Sequence, residues 1–238
     1  MVEKLDEKWR PRTLDEVCGQ SYAVMMLKDF ADNPHSQGFI FSGDTGLGKT
    51  SCAYALAREL GVDLGWDFLE ISSGEANDAA VTMALKMMRQ VGVRNGWKLI
   101  LVDEADMATP KAKALWLSNL EPLPPKSVVI FTTNNVEKLD QRFIDRCEHI
   151  KFERNAKVLI PDAQAYLNRI WIGEGLHGNP PNIEDCKGVI VSAAMSFRRI
   201  ARFVESEMRK QSSKMQTAAV ATKISLSQHA ANKQAVRL

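Results

Sequence analysis

The octapeptide Gly43-Asp44-Thr45-Gly46-Leu47-Gly48-Lys49-Thr50 lies between a short apolar run, Gly38-Phe39-Ile40-Phe41, and a helical pattern over Ser51–Leu60 that Gly61 closes. Gly43 and Gly48 bracket four residues, and Lys49 and Thr50 follow at once, so the pattern G-x-x-x-x-G-K-S/T is satisfied in full. The chemistry depends on that order. Glycines let the backbone curl with its N–H groups inward, making an anion nest for a β-phosphate. Lys49 then meets the β- and γ-phosphates, and the Thr50 hydroxyl completes the shell of a Mg2+ ion. A strand before the loop and a helix after it place the phosphates at a helix N-terminus. The expected cradle for a nucleoside triphosphate is therefore Gly43, Asp44, Thr45, Gly46, Leu47, Gly48, Lys49, Thr50 and Ser51.

The bulk composition narrows the setting. A chain of 238 residues can bury a real core and fits one large domain or two small ones. Hydrophobic residues make up 45% and charged residues 25%, ordinary for a globular protein. No run approaches the roughly 18 apolar residues a membrane span needs. The polar start Met1-Val2-Glu3-Lys4 is unlike a signal peptide, so a cytoplasmic protein without membrane contact is expected. Cys18, Cys52, Cys147 and Cys186 are scattered without a C-x-x-C pair, which points to reduced thiols and away from a zinc module. Cys52 is expected to be buried and inert, and the scattered tryptophans suit packing better than base stacking. The net charge is only +2, yet Gln211 to Leu238 holds Lys214, Lys223, Lys233 and Arg237 and no acid. Such a tail can touch nucleic acid, but charges spread this thinly are better read as solvated.

Apolar runs and helical patterns alternate along the first 150 or so residues, predicting an α/β fold with a five-stranded parallel sheet covered by helices on both faces. The strands are expected at Phe39–Phe41, Asp67–Ile71, Lys98–Val102, Val128–Thr132 and His149–Phe152. Helices are expected at Ser51–Leu60, Asn77–Val91 and Lys111–Leu120, the last with Thr109 as N-cap and Pro110 in the first turn. Met83, Met87 and Met88 sit at helical spacing and are expected in the core. After Arg154 the pattern turns helical, over Ala156–Ile172, Ile183–Ala194 and Phe197–Gln211. The predicted organisation is a nucleotide-binding domain over residues 1–154 and a small helical domain over 155–211. A basic tail over 212–238 is then flexible or weakly helical.

Leu99-Ile100-Leu101-Val102 runs into Asp103-Glu104, so a buried strand would carry two acids to the carboxyl edge of the sheet, where ligands bind in open α/β folds. There Asp103 can hold Mg2+ while Glu104 orients and deprotonates the attacking water. The next strand ends Thr132-Thr133-Asn134-Asn135, which aims Asn134 at the γ-phosphate. Further on, Arg142 and Arg146 each suit a guanidinium that stabilises charge in phosphoryl transfer, or a surface ion pair with Asp140, Asp145 or Glu148. Spacing alone does not choose between these roles.

From roughly Leu5 to Lys210 this order of motifs resembles the AAA+ ATPases, and within them the replication factor C and clamp-loader small subunits. The most specific match is Lys8-Trp9-Arg10-Pro11-Arg12-Thr13-Leu14-Asp15-Glu16-Val17-Cys18-Gly19-Gln20, similar to the family's K-Y-R-P-x-x-L-x-E-V-V-G-Q segment. In the family that segment cups adenine, which implies contacts from Arg10, Val17 and Gln20. Asp103-Glu104-Ala105-Asp106 is similar to the family's D-E-A-D. Asp145-Arg146-Cys147 stands where clamp loaders have S-R-C, whose arginine reaches a neighbouring subunit's ATP, implying that Arg146 is the finger. Ser196-Phe197-Arg198-Arg199 resembles G-D-M-R-R, making Arg198 the lid residue at the γ-phosphate and Arg199 structural. The resemblance implies ATP and Mg2+ as cofactors. Its partners would be primer-template DNA, a sliding clamp and other clamp-loader subunits, in a homo- or hetero-oligomer with ATP at the subunit interfaces.

Some features depart from the family. Clamp-loader subunits carry a third, collar domain, and only about 28 residues follow the lid here. Ser73-Gly74-Glu75-Ala76-Asn77-Asp78 lacks the arginine of the family's DNA-tracking helix, which leaves Lys111 and Lys113 as candidates for DNA contact or for a solvated face. Two other readings stay open: another DNA-acting AAA+ machine, such as an initiator, a helicase loader or a branch-migration motor, and a stator that binds ATP without hydrolysing it. The full set of catalytic residue types argues against the stator.

Overall fold

A computed structural model describes residues 4–93, 95–154, 156–186, 190–191 and 194–235. In chain order the helices are α1 (Leu5–Lys8), α2 (Ser21–Asp32), α3 (Lys49–Glu59), α4 (Asp78–Met88), α5 (Pro110–Asn119), α6 (Gln141–Ile144), α7 (Ala156–Gly173) and α8 (Phe197–Ala235). The strands are β1 (Gln37–Ser42), β2 (Phe68–Ile71), β3 (Lys98–Val102), β4 (Ser127–Thr133), β5 (Glu148–Lys151), β6 (Ile190–Val191) and β7 (Ala194–Met195). The first five strands form one sheet in the order β2-β3-β4-β1-β5, parallel at every pairing.

Alternation along the strands divides the core in two. Phe39, Phe41, Leu99, Leu101, Val128 and Ile130 face one side and pack with Leu27 and Phe30 of α2 and Cys52 and Leu56 of α3. Ile40, Ile100, Val102, Val129 and Phe131 face the other, against Val81 and Leu85 of α4 and Trp116 of α5. Burying side chains of this size stabilises the fold by about 1.5–3 kcal/mol each. Phe131 anchors the second layer edge-to-face with Trp116 and with Phe143, at ring separations of 5.4 and 4.8 Å.

The five strands and three helices expected in the first domain are present, with ends shifted by up to about three residues. Thr109 caps α5, its hydroxyl accepting from the Ala112 N–H at 3.2 Å. Asn77 caps α4, accepting from Ala79 and Ala80 N–H at 3.0 Å. Helix α2 was not expected, although Ala23, Leu27 and Phe30 bury at helical spacing. Met83 is a correction: it is 63% exposed, because the buried stripe of α4 runs through Val81, Ala84, Leu85 and Met88 and leaves position 83 on the outer side. Trp66, at 76% exposed, is no packing residue either.

In the lid, Leu159, Ala163, Leu167 and Ile170 of α7 pack with Ile200, Ala201 and Val204 of α8, and this cluster is continuous with the α2/α3 core. The helix expected over Ile183–Ala194 is not formed by the described residues of that stretch. A single 3-10 turn covers Ile183–Asp185, fixed by the Asn182 side chain accepting from Glu184 N–H. Beyond it β6 and β7 pair antiparallel, Ile190 with Met195 and Val191 with Ala194. Asn182 offers the backbone a local turn, and β-branched Ile190 and Val191 suit a strand better than a helix. Positions 187–189 and 192–193 of that stretch, like residues 1–3, Asn155 at the predicted domain boundary, and Arg237 with the end of the tail, lie outside the described residues. Helix α8 is far longer than the expected Phe197–Gln211 and carries the predicted tail as helix to Ala235. No Gly or Pro interrupts the sequence from Phe197 to Ala235, so nothing there stops it.

Candidate nucleotide site

The carboxyl ends of β1, β3 and β4 meet the N-terminus of α3 and the start of α8 around a cavity of about 230 Å³. Its lining includes Thr45, Gly46, Gly48, Lys49, Thr50, Ser51, Asp103, Glu104, Asn134 and Arg198. Residues from four separate chain segments, singled out from sequence, are thus brought to one place. Gly46 sits at φ +82°, and a Cβ there would lie 2.0 Å from Ser196 Oγ, so only glycine lets the lid close on the loop. The Phe197 N–H donates to Gly46 O at 3.2 Å, a direct strut from lid to loop. Leu47 is buried beneath the loop, and Asp44 pairs with Arg154 at 3.2 Å on its outer side.

Lys49 is 8% exposed. Its ammonium donates to the carbonyls of Gly43 and Asp44 and to Asn134 Oδ1, the last two at 2.9 Å. Burial pulls its pKa down to about 8, against the opposing pull of Asp103, Asp44 and Glu104. All three donors of the ammonium are therefore engaged inside the protein.

Thr50 Oγ1 donates to Asp103 Oδ1 at 3.3 Å, and the Thr132 hydroxyl donates to the same carboxylate oxygen. Thr132 Oγ1 also accepts from the Glu104 N–H at 3.1 Å. Glu104 adopts φ 50°, ψ 52°, the left-handed region that non-glycine residues seldom occupy. Thr132, which lines the cavity, is a candidate site residue that sequence reading missed. The signal was a hydroxyl at the end of an otherwise apolar strand, buried where valine would serve packing better. The neighbouring Thr133 donates to Asp106 Oδ1 at 2.8 Å, tying the two strand ends together beneath the site.

The other end of the cavity is apolar and aromatic. Pro11, Val17, Cys18, Tyr166 and Phe197 line it, with the Tyr166 and Phe197 rings edge-to-face at 5.5 Å. Arg10 also lines it, its guanidinium 4.6 Å from the Tyr54 ring centroid. Gln20 is used differently: its amide donates to Glu153 O and accepts from Glu153 N–H, at 3.0 and 3.1 Å, which ties the N-terminal segment to the chain leading into the lid. Tyr166 was invisible to sequence reading because nothing in α7 distinguishes it, the residue of that helix lining the cavity, from Trp171.

Three arginines were candidates for the transferred phosphoryl group. Arg198 lines the cavity from α8 and pairs with Asp6 at 3.5 Å. Arg146 and Arg142 lie away from it. Arg146 Nε donates to Glu121 Oε1 at 2.9 Å, and Arg142 pairs with Asp140 at 2.7 Å. Lys111 pairs with Asp78 and Lys113 donates to Asp106 O, each at 2.7 Å. Cys52 is fully buried and its thiol pKa is pushed well up by desolvation, as expected of an inert thiol. Among the described residues no group of three or more His, Cys, Asp or Glu side chains could hold a metal, and no helix is long and apolar enough to cross a membrane.

Residues 39–154 match the profile of the family described as ATPase family associated with various cellular activities (AAA). The replication factor C small subunit of Archaeoglobus fulgidus is 34% identical over 151 residues, which is 62% of this chain and 47% of that protein. Replication factor C subunit 3 of Saccharomyces cerevisiae is 30% identical over 206 residues, 84% of this chain and 58% of its own length. The chain thus spans about half the length of the curated relatives it matches. A RuvB mutant from Thermotoga maritima shares the fold at a TM-score of 0.58 and 15% identity, covering 83% of this chain and 73% of its own. Profile and relatives agree: over residues 39–154 the chain resembles the AAA family of ATPases, and within it the replication factor C small subunits.

Proposed function

We propose that this chain binds ATP with Mg2+ and hydrolyses it to ADP and phosphate within a multi-subunit, cytoplasmic assembly that opens or places a sliding clamp on primer-template DNA. The observation that carries the ATPase part is the convergence of Lys49, Thr50, Asp103, Glu104, Asn134 and Arg198 on one cavity with an apolar, aromatic end opposite. The clamp-loading part rests on the names of the relatives.

The Thr50 hydroxyl and the Asp103 carboxylate are adjacent hard oxygen donors and fit Mg2+. When bound, Mg2+ neutralises charge on the phosphate oxygens. In the hydrolytic step a water oxygen forms a bond to the γ-phosphorus while the bond from that phosphorus to the ADP oxygen breaks. Glu104 takes the proton from the water, and Asn134 orients it. Lys49 must first exchange Asn134 for phosphate oxygens, so nucleotide binding also frees Asn134 for its part. Arg198 meets the γ-phosphate from the lid. Arg146, after leaving Glu121, meets the ATP of a neighbouring subunit, so turnover depends on both lid closure and assembly. Val17, Tyr166 and Phe197 hold the base, with Arg10 beside them.

The test is ATP turnover per subunit against protein concentration, with and without primer-template DNA. Turnover that climbs steeply with concentration and again with DNA is the expected result. Flat, DNA-indifferent turnover would count against both the trans arginine and the clamp-loading role.

A further inference from the structure

A second groove, of about 880 Å³, lies between the N-terminal segment and the first half of α8 and shares Asp6, Arg10 and Arg198 with the nucleotide cavity. Arg198, Arg202 and Arg209 line it, four and eleven residues apart from the first. At about 100° per residue these spacings bring all three guanidinium groups to within about 40° of one another around the helix. The stripe is about 16 Å long at ~1.5 Å of rise per residue. Of its three acids, Asp6 pairs with Arg198 and Glu205 accepts from the Leu5 N–H at 2.9 Å, while Glu7 is exposed; Lys4 and Arg10 also line the groove, so five basic side chains face three acids. Among the described residues no ion pair or side-chain hydrogen bond holds Arg202 or Arg209, and both are exposed. Ser212, Ser213 and Gln216 continue the same stripe with neutral hydrogen-bonding groups.

From these features we infer that the groove along α8 holds the phosphate backbone of a nucleic-acid strand, with Arg202 and Arg209 as the contacts. Arginine forks match phosphate oxygens bidentately, and a row of them along several ~3.4 Å nucleotide steps reads charge and spacing rather than sequence. A protein partner would want an aromatic or aliphatic anchor at the centre of the groove, and the apolar lining is limited to buried Leu5 and half-buried Met208. Because Arg198 and Asp6 belong to both cavities, strand binding bears directly on the arginine that faces the nucleotide. This inference rests on the reading of the chain as a DNA-acting ATPase.

The experiment measures binding of a labelled primer-template to the full chain across a salt series, alongside ATP turnover with and without that DNA. The variants are Arg202→Ala/Arg209→Ala and the charge-keeping Arg202→Lys/Arg209→Lys. The alanine pair should weaken binding at least about tenfold. It should also lower the slope of log K against log salt by about 1.4–1.8, the loss of two phosphate contacts at 0.7–0.9 each. Basal turnover without DNA should persist while its stimulation by DNA disappears, and the lysine pair should recover most of the slope. If wild type binds and the alanine pair matches it in affinity and slope, the strand runs elsewhere: the groove assignment falls and the DNA-acting reading stands. If wild type binds no DNA with or without ATP, both fall. Loss of self-association by the alanine pair in that case would mark the groove as a protein interface instead.

Discussion

The two ends of the nucleotide cavity are built on different principles. The phosphate end is polar and local: one octapeptide, two strand ends and a dense set of hydrogen bonds around Lys49, Asp103 and Thr132. The base end is apolar and assembled, taking Val17 from the N-terminal segment, Tyr166 from α7 and Phe197 from α8. Only one of the two survives a lid movement. Swinging α7 and α8 away would leave the phosphate loop and strand ends in register with the sheet, but it would dismantle the base end. Affinity for the base should therefore follow the lid, while catalysis should follow the phosphate end and need the lid only for Arg198.

The largest effect expected lies outside both ends. Arg146→Ala should lower turnover by the assembly about 10³-fold while leaving ATP binding by the free chain intact. Equilibrium binding and steady-state turnover on the same preparation separate the two, and normal turnover would pass the role to Arg142 or to another protein. Next comes Glu104→Gln, which should cost about 10²–10³-fold in kcat with little change in ATP affinity. Unimpaired hydrolysis by that variant would remove Glu104 as the base. At the base end, Phe197→Ala should reverse the split: affinity falls about tenfold, and kcat at saturating ATP changes less than about threefold. Equal losses in both constants would erase the distinction between the ends.

The smallest effect is one of pH. Lys49 has a pKa lowered to about 8 by burial, so in the free protein its positive charge is complete below that value and is lost as pH rises through it. Phosphate oxygens favour the charged form, so ATP affinity should decline a few-fold between pH 7.5 and about 9. Calorimetry in buffers of different ionisation enthalpy should show proton uptake on binding near pH 8 to 9. Affinity that is level across this range would mean Lys49 stays charged.

Legibility from sequence follows the same division. Gly43–Thr50 and the Asp103-Glu104 strand end could be read directly because each is contiguous, and its spacing carries its geometry. Thr132 is equally central, yet its role depends on β4 lying beside β3, a pairing that no local pattern states. The Tyr166–Phe197 pair and the Asp6–Arg198 ion pair span still longer separations: the first emerges only when α7 packs on α8, the second only when α8 meets the N-terminal segment. The pairing of β6 with β7 escapes sequence reading for the opposite reason: a short apolar stretch fits a helix or a strand equally well. Gln20, read as an adenine contact by resemblance, binds backbone 133 residues away at Glu153.

Helix α8 begins at the phosphate loop, where Phe197 N–H touches Gly46 O, and continues without a break for 39 residues. A helix of that length is a rod of about 58 Å at ~1.5 Å per residue. Tilting it by about 10° at the loop would sweep its far end through about 10 Å. Motion at a γ-phosphate is measured in fractions of that distance, so α8 is a lever with its short arm in the nucleotide site. Anything fastened along its distal half would experience a chemical event as a mechanical stroke.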